Sequence, residues 1–423
     1  MIKKTIWILV YNLIFLPFLI LLLFILYPFN DKIKRGISGR KNLFKKIRKY
    51  FKNVNPDNTR YWFHCASHGE YEQVKPILNG LKELDKNCII IVSFFSPSGF
   101  DNVNDENINL KFYIPIDLPI PIFQILSIIK PYKLIFAEYD VWPNLIWIAN
   151  FLNIHTTIFS ARFTSRSKKL LPIIKNFYSQ IYSSFNSIYT INETDYIFLK
   201  KIINKKSKIL IRVLGSPRYD MVDKKNKKNK IDNNQKRPLT IVAGSMWPED
   251  DKVIFPVIID FIQKYASFQL IWVPHEPKKD YIINTINYFK DNKIDSELYS
   301  QNNKSNKKII IMDEIGHLYK IYWKSKIAYI GGGFSNGVHN VMESSIANIP
   351  TIFGPNYKKS HAAEELVKEK GGFSINNSAN FNKVLTLLLD NNNFYKNASI
   401  SSSEVIKRNL GSSRKVLRGI LFD

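Results

Sequence analysis

Cysteine is nearly absent from this 423-residue chain. Only Cys65 and Cys88 occur, and they form no Cys-x-x-Cys pair. That excludes a disulfide-built scaffold and a cysteine zinc site, and fits a reducing compartment. Asp-x-Asp, a common device for holding a divalent ion on a diphosphate, is missing. A leaving phosphate would then rely on backbone amides and basic side chains. The glycine triplet at 331–333 lacks the Lys-Ser/Thr ending of a P-loop. The residues imply no metal site and no cofactor. Charge is absent from residues 5–30.

What the chain has in excess is positive charge, formally +26. Residues 31–52 carry ten Lys/Arg against one Asp, and residues 222–237 carry seven against two. Neither run has the interleaved aromatics of a single-strand binder, so no nucleic-acid partner is expected.

The uncharged run at 5–30 is long enough to cross a bilayer. It ends in Leu26-Tyr27-Pro28-Phe29, an aromatic interface pattern rather than the small residues of a cleavage site. Nine Lys/Arg between 32 and 49 outweigh Lys3 and Lys4, so the rest of the chain is expected on the cytoplasmic side. The same basic stretch suits an anionic membrane surface.

Apolar runs at 60–65, 88–94, 133–137, 157–160 and 187–190 read as strands alternating with helices. Residues 222–238 are rich in Lys, Asn and Asp and read as a linker. The alternation then restarts at 239–243, 269–273, 309–312, 327–330 and 351–353. This is an α/β chain with a membrane anchor at 1–30, a first Rossmann-like domain at 31–221 and a second at 239–423. Such a pair of domains facing a cleft is the GT-B plan.

Polar residues gather where strands end. Ser67-His68-Gly69-Glu70 opens a helix, where Glu70 is either a helix-start carboxylate or a catalytic one. Glu138 follows an apolar strand, and Asp140 reads as the cap of a helix with Pro143 in its first turn. Glu70 and Glu138 at neighbouring strand ends would give a base and its partner. Gly331-Gly332-Gly333 allows a phosphate to approach the backbone. Asn340 and Glu343 then read either as a capping box or as a ribose-binding pair on one helix face.

Taken together, these motifs resemble the Kdo transferases of lipopolysaccharide synthesis. The similarity covers nearly the whole chain. It runs through Ser67–Glu70, Glu138 to Trp142-Pro143-Asn144, and Ala161-Arg162 with Thr164 and Ser167. It continues through Gly215, Arg218 and Asp220, then Gly331 to Glu343, and Gly354-Pro355-Asn356. The resemblance implies a lipid IVA Kdo transferase, moving Kdo from CMP-Kdo to a lipid A precursor. It implies an inverting, metal-independent reaction at the cytoplasmic face of the inner membrane. Glu70 would be the base, with Glu138 and Arg218 stabilising the transition state. CMP would meet His275, Glu276, Ile315, Gly316, His317, Asn340, Val341, Met342 and Glu343. The chain departs from the family pattern at His275-Glu276, at Met246-Trp247, where Glu249 and Asp250 keep acidic character after the loop, and in having Arg218 where Lys is common. Two other readings compete. One is a different GT-B sugar-nucleotide transferase or epimerase. The other is a basic, membrane-tethered binding protein.

Overall fold

The computed structural model describes residues 2–138, 140–164, 167–204, 206–227, 237–301 and 307–423. The chain divides into two compact units, residues 1–221 with 411–423, and residues 222–410. Each is built on a seven-stranded, all-parallel sheet.

The first sheet contains β1 (Arg60–Cys65), β2 (Ile89–Phe94), β3 (Leu110–Tyr113), β4 (Lys133–Ala137), β5 (His155–Ala161), β6 (Ser187–Thr190) and β7 (Leu210–Val213), in the order 3-2-1-4-5-6-7. Both faces are covered. Trp62, Ile89, Ile91, Leu134, Phe136 and Ile158 enter one buried cluster. Their neighbours Phe63, Ile90, Val92, Ile135 and Phe159 enter another. Burial on both sides explains why these strands read as unbroken apolar runs.

The second sheet contains β8 (Thr240–Met246), β9 (Gln269–Pro274), β10 (Ser296–Leu298), β11 (Ile309–Ile311), β12 (Ile327–Ile330), β13 (Thr351–Phe353) and β14 (Gly372–Ser374), in the order 10-11-9-8-12-13-14. In each sheet the chain lays strands to one side of a first strand, then crosses to the other side. The crossover crevice lies between β1 and β4 in the first unit, and between β8 and β12 in the second. Open α/β sheets bind ligands at the carboxyl ends of strands flanking such a crevice.

Two domain boundaries differ from the expectation. Helix Arg218–Asn226 runs into the stretch read as a linker, and its Asn226 accepts from Trp323 Nε1 at 2.6 Å. Residues 228–236 lie outside the described residues. The last helix, Ser412–Phe422, packs in the first unit rather than the second. Its Val416 and Ile420 join the cluster of Val74, Ile77 and Leu78. Lys133 Nζ donates to Ile420 O at 2.5 Å. Gly215 leaves room for this helix, since a Cβ there would lie 2.2 Å from Ser412 Oγ. Asp220 accepts from the backbone N–H of Gly411 and Ser413, both at 2.6 Å.

The uncharged run forms helical turns over Ile2–Phe29, long and apolar enough to cross a membrane. They widen into a π turn at Tyr11–Phe15, beside Pro17, which has no N–H to return to Leu13. The turn presents polar groups to the first unit. Tyr11 OH donates to Asp117 Oδ2 at 3.0 Å. Asn12 and Asn144 exchange amide hydrogen bonds of 3.1 and 2.8 Å.

Candidate functional site

In the first unit, helix His68–Leu84 starts directly after β1 and puts Glu70 in its first turn. Its Oε2 accepts from Ala66 N at 2.5 Å, so the helix-start reading holds for one oxygen. The side chain is nonetheless buried, and burial together with the Asp140 charge pushes its pKa up to about 8. A backbone hydrogen bond and Arg218 act in the opposite direction.

Glu138 leaves β4 with φ of +60°, a left-handed conformation unusual for a residue with a side chain. Its Oε1 receives Arg218 Nη2 at 3.0 Å and the amide of Gln73. The same Arg218 nitrogen donates to Gly69 O at 3.1 Å. Arg218 thus joins the strand end bearing Glu138 to the turn before Glu70. The three residues expected to be catalytic are brought together at the β1/β4 crevice.

Asp140 does not cap the helix at Pro143–Phe151. That end is capped by Asp117, whose Oδ2 and Oδ1 accept from Asn144 N at 2.9 Å and Leu145 N at 3.0 Å. Sequence reasoning missed this because Asp117 arrives from a distant loop, 27 residues upstream. Burial raises the Asp117 carboxyl to about 7.

In the second unit, the expected nucleotide residues follow β9, β11 and β12, which stand beside β8 or one strand away from it. Gly331 is required by close approach. A Cβ there would lie 2.3 Å from Ser245 O, and one on Gly333 would lie 2.5 Å from Gly354 N. Gly332 takes φ of +86° and donates its N–H to Asp250 Oδ2 at 2.7 Å. Asp250 also accepts from Tyr329 OH at 2.8 Å. Buried completely, Asp250 fixes the glycine turn instead of lending the loop acidic character.

Three rings stack beside this turn. His275 lies 4.9 Å from Trp247 and 4.3 Å from His339, between centroids. Trp247 Nε1 donates to His339 Nε2 at 2.8 Å. An indole N–H only donates, so the His339 proton sits on Nδ1. Burial and the neighbouring His275 lower the His339 pKa to about 4, which keeps the ring neutral. One residue from each of two departures from the family pattern, Trp247 and His275, therefore belongs to this one cluster.

The other expected contacts are looser. Glu276 is exposed and pairs with Lys278 at 2.9 Å. Ile315 is 81 % exposed, Gly316 turns at φ of +96°, and His317 pairs with Glu314 at 3.2 Å. Asn340 and Glu343 form no capping box and share no helix face, since the helix begins at Met342. Asn340 Oδ1 accepts from Met342 N at 3.1 Å, and Glu343 pairs with Lys225 at 2.6 Å. The Val341 and Met342 side chains are buried, which leaves only their backbone for a ligand.

Residues 41–221 match the family model described as 3-deoxy-D-manno-octulosonic-acid transferase (kdotransferase). The 3-deoxy-D-manno-octulosonic acid transferase of Haemophilus influenzae is 25% identical over 89% of this chain and 90% of its own length. A bifunctional glycosyltransferase/methyltransferase of Fusobacterium nucleatum is 28% identical over 90% of this chain. The chain spans 61% of that relative's length. Among solved structures, MurG of Acinetobacter baumannii superposes with a TM-score of 0.57 at 12% identity, over 86% of this chain and 99% of its own. That likeness establishes the GT-B fold.

Proposed function

We propose that this chain is a Kdo transferase that moves Kdo from CMP-Kdo to a hydroxyl of a lipid A precursor at the cytoplasmic face of the inner membrane. The observation that carries the reading is Glu70, a buried carboxylate of raised proton affinity beside the Glu138–Arg218 pair. A carboxylate that holds a proton up to about pH 8 is a strong base once ionised.

In the proposed step, Glu70 takes the proton of the acceptor hydroxyl. The oxygen attacks the anomeric carbon of Kdo while that carbon's bond to the CMP phosphate breaks. CMP leaves with the bonding electrons, from the face opposite the attack, so the centre inverts. Arg218, anchored by Glu138 and Gly69 O, holds positive charge beside the reacting groups. The neutral His339 ring offers an Nδ1–H donor to CMP beside the Gly331–Gly333 turn, whose Gly331 and Gly332 N–H groups are taken by Gly244 O and Asp250. With no Asp-x-Asp in the chain, the leaving phosphate depends on such groups rather than a divalent ion. The helix at Ile2–Phe29 and the basic residues after it would hold the first unit against an anionic lipid surface.

The test is transfer from in situ generated CMP-Kdo to a tetraacylated lipid A precursor, in chelator, by wild type and Glu70→Ala. The reading expects wild-type transfer, lost in a variant that still binds CMP. Absence of transfer by a folded, CMP-binding wild type would remove the acceptor or the sugar. Failure to bind CMP would remove the donor.

A further inference from the structure

Asp140 stands two residues beyond Glu138 on the loop leaving β4, and the capping role its position implies is filled by Asp117. What holds it is a buried chain of hydrogen bonds. Trp62 Nε1 donates to Ser93 Oγ at 2.8 Å, and Ser93 Oγ lies 2.9 Å from His64 Nδ1. His64 Nε2 lies 3.1 Å from Asp140 Oδ2, and Trp142 Nε1 donates to the same oxygen at 3.1 Å. Trp62, Ser93 and His64 are essentially inaccessible.

The donor inventory fixes the protons along this chain. An indole only donates and a carboxylate only accepts, so Trp62 donates to Ser93 Oγ, His64 presents Nε2–H to Asp140, and Nδ1 is left to accept from the Ser93 hydroxyl. Burial pushes the Asp140 pKa up, but the hydrogen bonds from His64 and Trp142 and the nearby Lys169 charge outweigh it, and the net shift is downward. The carboxylate is thus ionised, oriented by two N–H groups on Oδ2, and 27 % exposed. No hydrogen bond to Oδ1 occurs among the described residues.

A fixed carboxylate with one saturated and one open oxygen is a ligand for a hydroxyl group. A neutral O–H donor suits it, whereas an anion would be repelled. We propose that Asp140 is a substrate-binding residue of the first unit, accepting a hydrogen bond through Oδ1 from a sugar hydroxyl of the acceptor. The inference rests on the transfer reaction above and adds a residue to it. The relay from Trp62 makes His64 a positioning residue, since it touches Asp140 and not the ligand.

The experiment measures initial rates for wild type, Asp140→Asn and Asp140→Glu, with acceptor and CMP-Kdo varied separately and melting temperature recorded for each. Asparagine keeps an acceptor for His64 but loses the charge. Glutamate keeps the charge but displaces the free oxygen by a methylene. The acceptor KM should rise about tenfold or more in both, as expected for loss of a hydrogen bond to a charged group, with the CMP-Kdo KM unchanged. A merely structural aspartate would lower the melting temperature and the active fraction without selective change in one KM. If either variant folds and keeps the wild-type acceptor KM, the assignment is overturned. If only kcat falls, Asp140 acts through Glu70 and is not a ligand, which also overturns it. Wild-type transfer in the same assay separates these results from failure of the functional reading, which would remove this inference with it.

Discussion

The two crossover crevices are built from opposite materials. At β1/β4 the functional groups are side chains, and hydrogen bonds restrain each one: Glu70 by Ala66 N, Glu138 by Gln73 and Arg218, Asp140 by His64 and Trp142. At β8/β12 a buried, closely packed backbone turn at Gly331–Gly333 lies beside a stack of three rings. Each crevice also has one side-chain-bearing residue forced to positive φ, Glu138 in the first and Ser245 in the second. The difference follows from chemistry. Proton transfer needs a group whose proton affinity is set by burial and neighbouring charge. On the reading proposed above, holding a phosphate and a flat base needs close approach, N–H donors and a ring to stack on.

The strongest way to break this comparison is Glu70→Gln. Transfer should fall by about 10²- to 10⁴-fold, the usual range for a general base. The same change should stabilise the fold in alkali. The folded pKa, about 8, lies above the ordinary value of 4.5, so the native state binds the extra proton. Stability carried by Glu70 is therefore full below pH 4.5 and is lost as pH rises through 8. Glutamine never ionises and escapes that loss. A melting temperature for Glu70→Gln at pH 9 below that of wild type would contradict a buried, uncompensated carboxylate. Wild-type kcat should correspondingly rise with pH to a plateau above about pH 8, and the variant's residual rate should lack that limb.

Gly331→Ala addresses the other crevice. The new Cβ would lie 2.3 Å from Ser245 O and 2.9 Å from Met246 Cα, both backbone atoms that cannot swing aside. Overpacking of this kind destabilises by about 1–3 kcal/mol or more. CMP affinity, measured by calorimetry, should fall together with the melting temperature, while acceptor binding to the first unit stays unchanged. Equal loss of both affinities would mean that the two crevices do not divide the work.

How far all this was legible in the sequence follows from burial. The strands anticipated at 60–65, 133–137, 187–190, 327–330 and 351–353 appear with the same ends, because both faces of these sheets are covered. The four strands that escaped notice, β3, β7, β10 and β14, are the edges of the two sheets. Their residues are half-buried or exposed in large part, so they lack the apolar run that marks an inner strand. In the proposed site, Glu70 and Glu138 were legible as polar residues at strand ends, whereas Arg218, which follows the unnoticed β7, was reached only through the family resemblance. Asp117 replacing Asp140 as a cap, Asp250 beneath Gly332, and the Trp247–His339 bond were not legible. Each joins residues at least 27 positions apart, and no local pattern encodes such a pairing. The last helix escaped for the same reason. Its apolar stripe says that it packs, but not on which unit.

Trp247→Phe refines the comparison inside the second crevice. Phenylalanine keeps the stack on His275 and removes only the N–H that reaches His339 Nε2. His339 is then free to place its proton on either nitrogen, and the fixed Nδ1 donor is lost. CMP affinity should fall by roughly fivefold to tenfold, about 1 kcal/mol, the net worth of one hydrogen bond. An unchanged affinity would assign the stack to packing alone.

The smallest effect belongs to the membrane segment. Asn12→Leu removes one half of the reciprocal amide pair with Asn144 but leaves Tyr11 on Asp117. The Asn144 amide still donates to Asp117 O, so only its carbonyl and one N–H lose their partner. The expected loss is about 1–2 kcal/mol of docking, since one buried polar group is left unpaired. Asn144 stands in the first turn of the helix that follows the loop carrying Glu138 and Asp140, so the membrane segment is joined to the helix next to that loop. Detergent-solubilised Asn12→Leu should melt a few degrees below wild type and be cut faster by protease near residues 27–30, with CMP affinity untouched. Equal protease rates in the two proteins would show that the helix is held by its apolar contacts, Trp7 on Phe177 among them, and that the amide pair is incidental.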